Sequence, residues 1–151
     1  MASIFDDNKL DEIRRRIHRL SPDTAPCWGK MNVSQMMCHL ADGIKIATGE
    51  RPLADTSSFF SRTILKFIVL YLIKIPKGVP TVPELDQMKD GTPPDDYEHD
   101  RAELLRSIEY ICSLPENFDW FPHPKFGPMD KRAWGILAYK HIDHHLRQFG
   151  V

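Results

Sequence analysis

Apolar residues in this chain recur every three or four positions and hardly ever every second one, a pattern that packed helices satisfy and half-buried strands do not. Leu10, Ile13, Ile17 and Leu20 form the first stripe. The stretch SPDTAPCWGKM ends it, because its two prolines and Gly29 cannot extend a helix. Asn32 opens a second helix with Gln35 as its capping-box partner, carrying Val33, Met36, Met37, Leu40 and Ile44 and stopping near Gly49. A third helix is expected from Ser57 or Ser58 to just before Pro76. Asp95 with Glu98 offers a further capping box, and Leu104, Leu105, Ile108, Ile111 and Cys112 line a fourth helix that Pro115 ends. Asp130 is placed to cap a last helix running to Gly150. Two proline-rich stretches, PKGVPTVPELDQMKDGTPPDD and PENFDWFPHPKFGPM, read as long loops, and such loops often carry function. The expected class is all-α: one domain over residues 1–151, most simply a bundle of four main helices plus one short one.

Composition narrows the function. The 151 residues are 42% apolar and 27% charged, enough for a real core, and the net charge is −1. There is no basic run to track phosphates, so nucleic acid is not the expected partner. The polar start MASIFDDNKLDEIRRR lacks the apolar centre of a signal peptide, and three cysteines without a CxxC suit reduced thiols; both point to a cytoplasmic protein. The run FFSRTILKFIVLYLIKI is too short and too charged to span a bilayer, which takes about 20 mostly apolar residues. Its Arg62, Lys66 and Lys74 form a narrow basic stripe. The expected role is a deeply packed bundle helix, since surface-lying membrane helices have a stronger polar face.

Three of the seven histidines crowd the last helix: His141, His144 and His145. At about 100° per residue, His141 and His145 fall within about 20° of Trp134, in the middle of the apolar face. Lys140, Asp143 and Arg147 fall on the opposite, wet side, and His144 on the rim. An i, i+4 pair brings two imidazoles within reach of one cation. A metal centre usually takes a third protein ligand, and His39, at the margin of the second helix's core face, is the best candidate. Gly43, one turn on, leaves space there. Asp42 either orients that imidazole from behind or is a solvated surface acid. The bland alternative is that buried carbonyls or water satisfy the two inward histidines.

The segments WGKMNVSQMMCHLADG and WGILAYKHIDHHLRQFG together resemble the DinB-like, or YfiT-like, metalloenzyme superfamily. The chain looks closest to a branch described only as a domain of unknown function, which also carries an HPxFG stretch, here His123 to Gly127. The resemblance implies a four-helix bundle in which His39, His141 and His145 hold a divalent metal ion, nickel or zinc. It implies homodimers in many members, and in some relatives transfer or isomerisation with low-molecular-weight thiols such as bacillithiol or mycothiol. Many relatives read HHRGQ where this chain reads HHLRQ, which moves the arginine toward the wet side. Asp42, His123, His144 and Gln148 are the further candidates for orienting a ligand or touching a small-molecule substrate. Two readings follow: a metal-dependent thiol S-transferase or hydrolase, and a non-catalytic, metal-stabilised module that holds a small molecule.

Overall fold

The computed structural model describes residues 1–151. It is all-α. Four α-helices, α1 (Asp7–His18), α2 (Val33–Thr48), α3 (Tyr97–Ser113) and α4 (Lys131–Gln148), carry the core. The nearest thing to a strand is a single antiparallel bridge between His123 and Gly127. No helix is long and apolar enough to cross a membrane.

The helix ends follow from local chemistry. Asn32 and Gln35 close a full capping box on α2, with Gln35 N–H donating to Asn32 Oδ1 at 2.8 Å and Asn32 N–H to Gln35 Oε1 at 2.9 Å. Gly49 ends α2 with a φ of 81°, a left-handed conformation that glycine adopts without strain. Asp130 accepts from Ala133 N–H at 2.8 Å and starts α4. The cap of α3 is Asp96, not Asp95: Asp96 Oδ1 accepts from His99 N–H at 3.0 Å.

α2 packs along α3 and against α4, and α1 packs against α4. Ile13, Met36, Leu40, Leu104, Ile108 and Ile142 are fully enclosed, and each such side chain contributes on the order of 1.5–3 kcal/mol by leaving water. Arg16 ties α1 to the chain end. Its guanidinium donates to Asp143 Oδ1 at 2.8 Å and to the Val151 carbonyl at 3.0 Å. The register of α2 against α4, which the site depends on, is therefore set by buried apolar side chains and well-capped ends.

The segment between α2 and α3 departs from the expectation of a deeply packed helix. It contains two π-helical turns, Ser61–Leu65 and Ile68–Leu72, which between them bury only Ser61 and Leu70. Side-chain bonds to backbone carbonyls accompany both turns. The Thr63 hydroxyl takes the Phe59 carbonyl at 2.7 Å, which an α-helix would offer to the Thr63 N–H. Further on, the Lys140 ammonium reaches across from α4 to the Val69, Leu70 and Ile73 carbonyls. Ile73 N–H bonds to Ile68 O at 3.1 Å, the wider i, i+5 register. Lys140 is thus a clamp between elements, not a side chain of the wet face. Burial lowers its pKa.

Candidate metal centre

His39 stands in the middle of α2, and His141 and His145 stand one turn apart on α4. Where the two helices cross, the three imidazoles meet. Their ring centroids are 4.9 Å apart in all three pairings, with interplanar angles of 77°, 75° and 72°. This is a near-threefold propeller. One nitrogen from each ring lies within 4.8 Å of the other two, and His39 Nε2 is 3.0 Å from His141 Nε2.

The outer nitrogens explain why the inner ones converge. His39 Nδ1–H donates to the Leu85 carbonyl at 2.8 Å. His145 Nδ1–H donates to Gln148 Oε1 at 2.7 Å, and Gln148 Nε2 donates in turn to the Trp28 carbonyl at 2.7 Å. A carbonyl oxygen can only accept, so His39 and His145 carry their protons on Nδ1 and turn Nε2 lone pairs inward, toward His141. Gly43 leaves room for the His141 ring. A Cβ there would stand 3.3 Å from His141 Nδ1 and 3.4 Å from its Cε1.

Burial keeps these rings neutral. It lowers the pKa of His39, despite an opposing pull from the Leu85 hydrogen bond. Burial, reinforced by the neighbouring His145 and His39, puts His141 well below the ordinary value. His145 is pushed down to about 3 by burial and by His39. Three neutral imidazoles are the donor set that zinc, nickel, copper or iron accepts. Bonds of 2.0–2.1 Å at tetrahedral angles require nitrogens about 3.3 Å apart, within the range spanned here. The residues fit a divalent ion.

The chain belongs to the family described as Protein of unknown function (DUF1569), whose model matches residues 4–150. No curated protein and no solved structure matches the chain.

The other candidate residues divide. Gln148 is buried and orients His145 from behind. Asp42 is neither a solvated acid nor a partner of His39. Fully buried, it accepts from Gln87 Nε2 at 2.9 Å, Thr92 N–H at 2.9 Å, the Thr92 hydroxyl at 2.7 Å and Arg51 Nη1 at 3.3 Å. Arg51 also grips the Glu84 and Asp90 carbonyls, each at 2.8 Å. Together they hold the 3-10 turn Pro83–Leu85, which presents Leu85 O to His39. Asp42 therefore orients the histidine at one remove, through a loop.

His144 is not a rim residue. The segment around Ile75 to Lys77 lies beside it at the cavity, and it is buried, with its ring 5.0 Å from His145 and 5.9 Å from Trp28. It does not join the converging trio. His123 lies outside the trio as well. Its Nδ1 accepts the Lys125 and Phe126 N–H groups at 3.0 and 3.2 Å, and its ring stacks on Phe126. Burial alone pushes its pKa down to about 4.

The trio opens onto a cavity of about 1270 Å³. Its wall is mainly apolar and includes Leu65, Val69, Ile73, Trp134 and Leu137. Lys30, Lys77 and Lys125 are its cations, and Asp86 is its single carboxylate. Hydrogen bonding to Met88 N–H, followed by Lys89, holds Asp86 below the usual carboxylate range. Leu85, Asp86, Gln87, Arg51 and Thr92 carry no motif. The only sequence signal for them was the unusual length of the proline-rich stretch that holds most of them.

Proposed function

We propose that the chain is a metal-dependent enzyme of DinB-like architecture, in which His39, His141 and His145 hold nickel or zinc and the adjacent cavity takes a low-molecular-weight thiol. The observation that carries this reading is the equal spacing of three neutral imidazoles, two of them fixed from behind by acceptors. A bound divalent ion would supply Lewis acidity, lowering the pKa of a thiol or a water beside it and so favouring transfer or hydrolysis.

The chain's own residues supply the rest. Leu85 O and Gln148 Oε1 keep the protons at Nδ1 of His39 and His145, so their Nε2 atoms remain donors. The mainly apolar wall beside the trio lowers the solvent screening of charge there. Lys30, Lys77 and Lys125 outnumber Asp86, which suits a small molecule bearing carboxylates as well as a thiol. Asp86, held below the usual carboxylate range by Met88 N–H and Lys89, places one negative charge on that wall.

The test is turnover. Metal-loaded protein is incubated with common thiols and electrophilic acceptors, and thiol consumption is followed with His141→Ala as the control. Thiol-dependent product formation that His141→Ala abolishes is the expected result. Tight binding of an unreacted thiol with no product from any acceptor would instead support a metal-stabilised binding module, a reading the size of the cavity also suits.

A further inference from the structure

The segment whose inner side walls the cavity has an outer side that nothing in the fold covers. Eight of the twelve large apolar side chains exposed on the molecule lie between Phe59 and Val82. Phe59, Phe60, Ile64, Phe67 and Leu72 are each more than half exposed. Isolated exposed apolar residues are ordinary, but a dense set along one segment marks a contact surface.

Charge selects the occupant. From Thr56 to Pro83 there are four basic residues, Arg62, Lys66, Lys74 and Lys77, and no Asp or Glu, in a chain whose net charge is −1. Arg62 is partnered by Asp55, just ahead of the segment, at 2.8 Å. Lys66 reaches only the Pro128 carbonyl, Lys77 lies 4.1 Å over the Trp28 ring, and Lys74 is exposed; none of the three pairs with a carboxylate. A second copy would set this patch against itself, because a twofold interface is self-complementary. Cation would then face cation, with no acid in the segment to relieve it. An anionic bilayer surface complements both properties, taking aromatic and aliphatic side chains at the headgroup boundary and basic ones among the phosphates.

We propose that the Phe59–Val82 segment docks the protein on anionic membrane surfaces. This rests on the exposed face, not on the metal reading. Leu65, Val69 and Ile73 of the same segment line the cavity, so docking would set the cavity mouth at the bilayer and admit apolar or amphipathic molecules held there.

The full-length protein is sedimented with vesicles of phosphatidylcholine alone and with vesicles containing about one third phosphatidylserine. Binding to the second and not the first is expected, weakening as salt is raised. Lys66→Glu with Lys74→Glu should weaken it on the order of tenfold or more, since each basic side chain near such a surface is worth about fivefold. Phe59→Ser with Phe67→Ser removes two largely exposed rings, and the double variant should melt close to the wild type but fail to bind. Three results overturn the proposal: no binding of wild type to either vesicle, equal binding of the phenylalanine variant, or a dimer in sedimentation equilibrium that the phenylalanine variant dissociates without any vesicle binding. Metal content of the same samples is measured separately and decides the histidine centre alone.

Discussion

Gln148 stands one turn beyond His145 on α4 and accepts its Nδ1–H at 2.7 Å, while its amide nitrogen holds the Trp28 carbonyl at the same distance. One side chain thus fixes the His145 ring and the loop before α2. Gln148→Leu keeps the volume and removes both bonds. Loss of such an orienting partner typically weakens metal affinity by about 10–100-fold. Competition against a chelator should show that loss, with His39, His141 and His145 all still present.

Gly43 allows stability and binding to be separated. Alanine is favoured over glycine inside a helix by about 1 kcal/mol, so Gly43→Ala should leave the melting temperature unchanged or raise it. The new Cβ would crowd His141 Nδ1, at 3.3 Å, and move that ring by a few tenths of an ångström. Metal affinity should therefore fall while the fold holds. Equal affinity in the two proteins would mean that the position of His141 does not matter to binding.

Asp42 anchors the loop that delivers Leu85 to His39. Asp42→Ala would leave the Arg51 guanidinium, Gln87 and Thr92 without their acceptor. Breaking such a buried pair costs about 3–5 kcal/mol, readable as a lower urea midpoint. Asp42→Asn should lie between that variant and the wild type.

His123 adds a pH dependence of defined sign. Its folded pKa, about 4, lies below the ordinary 6.5 because of burial. Its contribution to stability is complete above pH 6.5 and is lost as pH falls toward 4, since the unfolded chain binds the proton first. Protonation of Nδ1 would also remove the acceptor for the Lys125 and Phe126 N–H groups. His123→Asn retains a nearby acceptor that does not titrate. Its urea midpoint should fall less than that of the wild type between pH 6.5 and pH 4.

The helical period placed His39, His141 and His145 together because all three sit on regular helices whose inward faces are defined by apolar neighbours. The same wheel misplaced His144 and Lys140. A wheel describes one helix against one core, and these two side chains are engaged by a separate piece of chain, the segment from Val69 to Lys77, packed over α4. That segment also defied the reading as a packed helix, because its apolar residues run almost all round and no periodicity says which side stays bare. The Leu85 carbonyl was invisible for another reason: a backbone acceptor has no residue-type signature. The sequence shows Asp42 as a neighbour of His39, but its route through Arg51, Gln87 and Thr92 depends on loop contacts between residues far apart in sequence.

The most direct test of the three-histidine centre is metal stoichiometry by elemental analysis after loading with nickel or zinc and removal of free ions. It is made on the wild type and on His39→Ala, His141→Ala and His145→Ala. About one ion per chain in the wild type, lost in each variant while helical circular dichroism persists, is the expected result. Equal metal content in all four proteins, or none in the wild type with an unchanged melting temperature in His141→Ala, would contradict it.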